Sequence, residues 1–406
     1  MTQKELSHPA LFKPAQLANL QVKNRFVCSA TYEVMATETG EVTDAILKRY
    51  RNLAKGDVGL IIPGMLSVHS LGRAYKRQLG IHDDGMIPGL RSVVESVHQE
   101  GGKIVFQLVH AGRQTKKEVI GQTPMSPSNQ GRDPINFVKP KKMTEEQIRE
   151  VIQAFGKAAS RAIETGADGV QIHAAHGYLV NQFLSPFFNR RTDDWGGSDE
   201  KRFRFLREIV LETRRVLPKG TPILVKLSTN DNTPQEGVTP PLATRYARWL
   251  AEMGIDGLEL SCGTALYSSF NVFRGEVPVR ELVRALPWWE KHLGRVVLSR
   301  MVGKYDLEEG YNLEAAKMIK PVVGKMPVLL VGGLRKVSHM EEILEKGYAD
   351  FVSMCRPFIR EPSLVRRIKE GKTSIAACVS CNMCVAAVLS SMPVRCYAKG
   401  LPSESS

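Results

Sequence analysis

One pattern recurs along the chain and restricts its fold more than any other feature. A helical stretch ends at a glycine, an aspartate follows closely, and a short run of apolar residues begins at once. The glycine suits the left-handed position after a helix, and a short strand that is apolar on both faces is typical of a parallel sheet. The pattern therefore predicts helices that alternate with buried parallel strands. It occurs at Gly56-Asp57, Gly166-Ala-Asp168, Gly254-Ile-Asp256 and Gly347-Tyr-Ala-Asp350.

Further apolar runs complete a set of eight predicted strands. Eight strands that alternate with helices predict an α/β fold, a (β/α)8 TIM barrel over residues 1–368. The alternative is an open doubly wound sheet, whose first strand would precede a Gly-x-Gly-x-x-Gly turn, but Cys28-Ser-Ala-Thr31 stands there. The predicted strands are Arg25–Ala30, Val58–Val68, Lys103–His110, Gly169–His173, Pro222–Ser228, Gly257–Ser261, Pro327–Gly332 and Asp350–Cys355.

The composition limits the choice of partners. Hydrophobic residues make up 43% of the 406 residues, which excludes a disordered or fibrous chain, and the net charge is +14. The cations are spread out and lack interleaved stacking aromatics, so we expect anionic small molecules rather than nucleic acid. No run is long enough to span a membrane, and Met1 to Pro14 lack the apolar core of a signal peptide. We therefore expect a cytoplasmic protein without a membrane partner.

The ends of the last two predicted strands indicate a phosphate site. Strand seven ends at Gly332-Gly333 and strand eight at Cys355-Arg356. Glycine lets backbone N–H groups approach a phosphate closely, and an arginine can bind it with two hydrogen bonds. The loops after strands seven and eight form the usual phosphate site of a TIM barrel. We therefore expect a phosphate-bearing ligand here.

A group of cysteines marks the C-terminal extension, residues 369–406, whose last residues, Leu401 to Ser406, we expect to be disordered. Spacings of two residues let thiolates converge on one centre. Such a cluster in a cytosolic chain indicates metal ligation before disulfides. An iron–sulfur cluster, zinc and free thiols all remain open. The cysteines are Cys378, Cys381, Cys384 and Cys396.

Three segments resemble the old yellow enzyme family of NADH:flavin oxidoreductases, which are FMN-dependent ene-reductases. The resemblance covers about residues 8–370, and the segments follow the family's order. It implies FMN at the carboxyl ends of the barrel strands and NAD(P)H as the reductant. The segments are Gln107-Leu-Val-His110-Ala-Gly112-Arg113, the stretch from His173 to Ser198, and Arg356-Pro-Phe-Ile-Arg-Glu-Pro362.

The resemblance also implies roles for individual residues. Lys226 would lie beside the N1/O2 edge of the flavin, where many relatives have arginine. The four tail cysteines are similar to those that hold a [4Fe–4S] cluster in dienoyl-CoA and enoate reductases, except that one gap has two residues where the family usually has three. The remaining cofactor contacts would be Ala30, Thr31, Gly64 and Gln107 to the isoalloxazine, and Gly332, Gly333, Cys355 and Arg356 to the phosphate.

The predicted reaction is the reduction of an activated C=C bond in an enone, an enoate or a related alkene. His173 and His176 match the family's pair that binds the activating carbonyl oxygen, where two imidazole donors stabilise developing negative charge. Tyr178 follows on the same loop and would protonate the α-carbon. A homo-oligomer is left open.

Two other functions are compatible with parts of the pattern. One is a phosphate-substrate barrel of the aldolase or isomerase type, in which Lys226 on strand five is the lysine suited to a Schiff base. The other is a metal- or redox-sensing protein built around the cysteine tail, for which the histidine pair would be dispensable.

Overall fold

The structure, a computed structural model, describes residues 8–133 and 137–402. The strands are β1 (Ala15–Leu17), β2 (Leu20–Val22), β3 (Phe26–Cys28), β4 (Leu60–Ile61), β5 (Leu66–Ser67), β6 (Val105–Val109), β7 (Met125–Ser126), β8 (Lys141–Lys142), β9 (Gly169–Ala174), β10 (Ile223–Ser228), β11 (Gly257–Ser261), β12 (Val328–Val331) and β13 (Phe351–Met354).

Nine of these segments form one parallel sheet that curls into a barrel. Their order is β4-β3-β13-β12-β11-β10-β9-β6-β5. The sheet closes because Ile61 of β4 pairs in parallel with Ile104, and the Ile61 N–H donates to the carbonyl of Lys103 at 2.8 Å. The predicted (β/α)8 barrel is confirmed.

The second predicted strand, Val58–Val68, is wrong as a single element, because β4 and β5 are separated by a break. Pro63 in this break has no N–H for a strand ladder. The N–H of Gly64 donates instead to Glu33 Oε1 at 2.8 Å and lies 2.9 Å from the hydroxyl of Tyr50. The other seven predicted strands are present, each within two residues of its expected ends.

The recurring aspartates tie neighbouring strands together. Asp168, Asp256 and Asp350 each precede their own strand by one residue, and each carboxylate accepts a hydrogen bond from a backbone N–H at the start of the adjacent strand. Three of the four aspartates noted in the sequence therefore satisfy backbone donors at the amino-terminal end of the barrel. The pairs are Asp168 with Ile104 (2.8 Å), Asp256 with Ile223 (2.9 Å) and Asp350 with Val328 (2.8 Å).

Helices pack around the barrel with their apolar faces inward. Residues 145–164 illustrate why: Thr144 and Gln147 form a reciprocal capping box, and Ile148, Val151 and Phe155 are buried at helical spacing. The helices are α1 (Pro9–Phe12), α2 (Asp44–Lys55), α3 (Ile87–His98), α4 (Lys117–Ile120), α5 (Glu145–Glu164), α6 (Leu179–Leu184), α7 (Asp199–Val216), α8 (Pro240–Glu252), α9 (Ser269–Val272), α10 (Val279–Arg284), α11 (Lys291–Ser299), α12 (Leu313–Ile319), α13 (Val337–Glu345), α14 (Arg356–Arg360), α15 (Leu364–Lys369) and α16 (Met383–Leu389).

An antiparallel hairpin of β1 and β2 covers the amino-terminal end of the barrel. Leu17, Leu20 and Val22 of this hairpin are buried against apolar side chains of the barrel strands. One end of the barrel interior is therefore filled by apolar packing. The polar strand residues described below lie toward the carboxyl ends.

The C-terminal extension folds back onto the barrel. Ala386 of α16 packs with Phe270 and Leu282 from the connection between β11 and β12, and the Val394 N–H donates to the carbonyl of Glu33 at 2.8 Å. Of the end expected to be disordered, residues 403–406 lie outside the described residues. No helix in the described ranges is both long and apolar enough to cross a bilayer.

Candidate active site

Parallel register brings the predicted site residues to the carboxyl ends of adjacent strands. Gln107 lies on β6, His173 on β9 and Lys226 on β10. Lys226 is the register neighbour of His173 on one side and of Glu259, on β11, on the other. Strand pairing alone therefore places an imidazole, an ammonium and a carboxylate side by side.

A chain of polar contacts crosses the barrel interior. Gln107 Nε2 donates to Gln171 Oε1 at 2.7 Å, and Gln171 Nε2 donates to Glu259 Oε2 at 2.9 Å. Lys226 Nζ lies 3.2 Å from the same Glu259 oxygen and donates to Ser29 Oγ at 2.8 Å. The Lys226 and Glu259 side chains are 3% and 0% exposed, so this ion pair is fully removed from water. The ammonium is held from two sides.

Sequence reasoning missed Glu259, because only residues at the strand ends were considered and Glu259 lies in the middle of β11. The signal was present: a glutamate stands between Leu258 and Leu260 in a strand that is otherwise apolar. A charge in such a strand needs a buried partner of opposite sign. Lys226, one strand away, is the complementary charge.

The contacts of His173 determine which of its ring nitrogens carries the proton. Its Nδ1 accepts from the Ala175 N–H at 3.3 Å. Burial, with His176 and Lys226 adding to it, holds the pKa of His173 well below its usual value, so the ring is neutral. Because a backbone N–H can only donate, the single proton of the neutral ring is on Nε2. Nε2–H is therefore available to an acceptor.

His176 stands at a bend that directs it beside His173. Its backbone φ is +61°, and the two ring centroids are 5.1 Å apart. His176 Nε2 and Ser261 Oγ share a hydrogen bond of 2.7 Å. Burial, helped by Lys226, lowers the pKa of His176 to about 3, so this imidazole is also neutral near pH 7. The pair is a set of neutral polar groups rather than a cationic site.

Tyr178 immediately precedes α6, and its ring packs on His173 with a centroid separation of 4.9 Å. Tyr75 packs in the same buried cluster as Tyr178 and stacks on Tyr32 with ring centroids 4.7 Å apart. Burial, together with Tyr75, raises the pKa of Tyr178 well above its usual value. The phenol therefore keeps its proton at neutral pH. Tyr75 was not foreseen, because it lies on a different loop, far from Tyr178 in the sequence.

The residues expected at the flavin ring occupy the ends of the first two strands. Ala30 and Thr31 follow β3, and the Thr31 hydroxyl is hydrogen-bonded to the thiol of Cys355 at the end of β13. Gly64 lies in the break between β4 and β5, where a Cβ atom would stand 2.2 Å from the Glu33 carboxylate. Burial raises the pKa of Glu33 to about 7. Only glycine fits at position 64.

The candidate phosphate residues lie where β12 and β13 end. Gly332 and Gly333 have φ of +155° and +68°, in the region that favours glycine. The Arg356 guanidinium donates to Asn382 Oδ1 at 2.5 Å and to the carbonyl of Arg274 at 2.8 Å. Arg356 thus joins the barrel to the C-terminal extension, and its contact with a phosphate stays a prediction.

The four tail cysteines surround a shared cavity beside Arg356. Burial raises the pKa of Cys384 to about 12, and the neighbouring thiols add to this effect. In the chain as far as it is described, no three His, Cys, Asp or Glu side chains are grouped closely enough to hold one metal ion. The structure therefore brings Cys378, Cys381, Cys384 and Cys396 around one space without a compact site for a single ion.

A parallel barrel with buried polar side chains toward its strand ends is the arrangement of TIM-barrel enzymes, whose active sites lie at that face. The sequence profile of the NADH:flavin oxidoreductase / NADH oxidase family matches residues 10–268 and 287–374. The chain belongs to this family. The resemblance recognised in the sequence is confirmed.

Individual relatives agree with this assignment. An NADH oxidase of Thermoanaerobacter brockii is 33% identical over 400 residues, which cover 96% of this chain and 55% of that protein. An NADPH dehydrogenase of Bacillus subtilis (strain 168) is 34% identical over 372 residues, 90% of this chain and 96% of that protein. A 2-naphthoyl-CoA reductase bound to 2-naphthoyl-CoA has a TM-score of 0.83 at 27% identity, over 96% of this chain and 57% of that one. The chain thus spans little more than half the length of two of these proteins.

Proposed function

We propose that the protein is an FMN-dependent reductase that uses NAD(P)H to reduce C=C bonds conjugated to a carbonyl group. The observation that carries this proposal is the contact of two neutral histidines with a protonated tyrosine, His173, His176 and Tyr178, at the strand ends. Together they offer hydrogen-bond donors for an oxygen and a proton for a carbon. Membership of a flavin-dependent family supports the cofactor.

The residues present fit FMN. A buried cation, Lys226, stands in the barrel interior, and the close approach at Gly64 leaves backbone rather than side chain at that edge. Gly332 and Gly333 bring no side chain of their own between a phosphate and their backbone N–H groups, and Arg356 would supply the cation. When bound, FMN supplies the hydride for the alkene. Ala30, Thr31, Gln107 and Cys355 complete the proposed set of cofactor contacts.

The histidine pair polarises the substrate in this proposal. His173 presents Nε2–H because its Nδ1 accepts from the backbone, and Ser261 fixes the ring of His176. As negative charge develops on the carbonyl oxygen, preorganised donors in a water-poor site stabilise it. Neutral imidazoles can do this across the physiological pH range without a change of charge.

Tyr178 delivers the proton to the α-carbon. Its raised pKa keeps the phenol protonated, and its ring contact with His173 holds it beside the histidine pair. A general acid of this kind contributes about 10²–10⁴ in rate.

The ligand bound to one structural neighbour suggests conjugated CoA thioesters as substrates to test. That protein is a 2-naphthoyl-CoA reductase in complex with 2-naphthoyl-CoA. A conjugated CoA thioester has the carbonyl oxygen that the histidine pair would bind. Its phosphates also suit a chain with a net charge of +14. Thioesters therefore belong beside simple enones in a substrate panel.

We also propose that the tail cysteines hold a [4Fe–4S] cluster. Four thiolates are the usual ligands of such a cluster. All four cysteines line one shared cavity, which supports their convergence on one centre. Iron and acid-labile sulfide, near four of each per chain, are expected after anaerobic purification, and Cys384→Ser should lose them. Stoichiometric zinc instead would contradict this assignment.

The aldolase-type alternative is less compatible with the geometry. A Schiff-base lysine needs a free amine, whereas Lys226 Nζ is engaged by Glu259 and Ser29. The buried ion pair favours a fixed positive charge over a nucleophile.

The direct test separates the two half-reactions by stopped-flow absorbance of the flavin. Tyr178→Phe should slow reoxidation by 2-cyclohexenone by about 10²–10⁴ while leaving reduction by NAD(P)H near normal. His176→Ala should also slow reoxidation selectively. Tyr32→Phe removes another phenol of the same tyrosine cluster and should change neither step. Unchanged reoxidation in Tyr178→Phe would show that another group supplies the proton.

A further inference from the structure

An apolar surface lies on the long connection between β11 and β12. Trp288 and Trp289 are 80% and 64% exposed, and Leu293 is 68% exposed. Val296 and Val297 continue the exposed stripe along α11, at positions three and four residues after Leu293. These five residues form what we call the tryptophan patch. Large apolar side chains grouped on a surface mark an interaction site.

The inner face of the same segment packs on apolar residues, and this packing sets its orientation. Leu298 and Met301 pack against a small cluster that includes Phe270 and Leu282. The segment is therefore anchored by its inner face, and the tryptophan patch faces solvent. No residue of α11 is buried. The patch is an added outer face rather than an exposed part of the barrel core.

The residues that flank the patch are mostly cationic, which favours an anionic partner. Lys291, Arg295, Arg300 and Lys304 are exposed, and none of them forms an ion pair within the described ranges. Glu290 is the one acidic residue in the sequence from 288 to 304. A second copy would bring two such cationic surfaces together, which like-charge repulsion opposes. An anionic surface complements it.

We propose that the tryptophan patch docks the protein onto the surface of a membrane that contains anionic lipids. Tryptophan places its apolar ring in the interface and its N–H near the headgroups, and flanking Lys and Arg contact anionic lipids. This mode needs no spanning helix, so the expectation of no membrane partner, which rested on the absence of a span, does not address it.

The connection that carries the patch starts beside the candidate active site. The segment that carries it begins at the end of β11, where Ser261 contacts His176 and the Ala265 N–H donates to the carbonyl of His176. The proposal stands on the patch itself and does not depend on the bound cofactor or on the reaction.

The test is sedimentation of the purified full chain with sucrose-loaded vesicles. Vesicles of phosphatidylglycerol and phosphatidylcholine should carry the protein down, and vesicles of phosphatidylcholine alone should bind it far less. Binding should weaken as salt is raised, because the charge term is screened. Tryptophan fluorescence should shift to the blue on binding, since Trp288 and Trp289 are the most exposed tryptophans.

Two double variants separate the apolar and the charged contributions. Trp288→Ser with Trp289→Ser should reduce vesicle binding at least about tenfold. Lys291→Gln with Arg295→Gln should reduce it by roughly 25-fold, about fivefold for each charge. Matched controls are Leu211→Ser with Met318→Ser, and Lys219→Gln with Lys325→Gln, which change exposed residues on other parts of the barrel. The controls should bind like the wild type.

Three results would overturn the proposal. The wild type could remain in the supernatant with anionic vesicles at low salt. Both patch variants could bind as tightly as the wild type. Analytical ultracentrifugation could show a dimer that the tryptophan variant dissociates, without any vesicle binding, which would assign the patch to a second copy. Unchanged melting temperatures of the variants would exclude misfolding as the cause of any loss.

Discussion

The interior of the barrel and the cysteine tail are organised in different ways. In the interior, Lys226 lies beside His173 and Glu259 because the register of three adjacent strands puts them there. In the tail, position depends on a few long-range contacts. Asn382, for example, has φ of +55° and donates to the carbonyls of Phe273 and Glu276, both at 2.9 Å. Strand register fixes the first site, and loop contacts fix the second.

Substitutions in the two regions should therefore affect different properties of the protein. A change in the interior breaks a contact that is part of the core, so it should alter the free energy of unfolding. A change where the strand ends meet the tail, as at Arg356, should alter ligand binding more than the free energy of unfolding. The following predictions test that division, beginning with the largest effect.

Glu259→Gln should lower the free energy of unfolding by about 3–5 kcal/mol, because it leaves the Lys226 ammonium buried without its partner. Urea unfolding followed by circular dichroism measures this. Adding Lys226→Met should recover much of the loss, since both charges are then gone. A single variant as stable as the wild type would show that the ion pair is not a core contact.

Arg356→Ala should weaken FMN binding by about 2–4 kcal/mol, because a charge-assisted contact to a phosphate is removed. Fluorescence titration of the apoprotein with FMN measures the dissociation constant. Arg360→Ala, at the other end of α14, is the matched control and should bind FMN like the wild type. Equal affinities for the two variants would contradict the assignment of the phosphate to Arg356.

The buried histidines should make stability depend on pH. The pKa of His176 falls from 6.5 to about 3 on folding, so below pH 6.5 the unfolded chain binds more protons than the native one. Stability from this group is therefore complete above about pH 6.5 and declines as the pH falls, by about 1.4 kcal/mol per pH unit. Urea unfolding from pH 7 to 4.5 should show a shallower decline for His176→Asn.

The raised pKa of Glu33, about 7, acts in the opposite direction over part of this range. Glu33 is present in both the wild type and His176→Asn, so the difference between their pH profiles reports on His176 alone. Parallel pH profiles for the wild type and His176→Asn would mean that His176 titrates alike in the folded and unfolded chains.

Local patterns were sufficient to predict the barrel and part of its site. The repeated Gly and Asp before apolar runs gave the strands, and the motif from His173 to Tyr178 lies on one strand and the turn after it. Tyr75 and Glu259 could not be placed in the site this way, because each depends on which segments become neighbours. The break of the second strand followed from Pro63 and from a tertiary contact of Gly64 with Glu33.

The tail illustrates the same limit more strongly. The spacing of its cysteines suggests convergence, and the structure places them around one cavity. Their approach to Arg356 through Asn382 depends on the fold of the whole barrel. Spacing in the sequence carries no information on such a contact.

The amount of FMN bound to the purified protein decides whether this barrel is an FMN-binding barrel. Acid precipitation should release FMN near one molecule per chain, identified by chromatography, and NAD(P)H should bleach its absorbance in the intact protein under anaerobic conditions. A folded protein that releases no FMN, and that takes up none when incubated with an excess, would contradict the account.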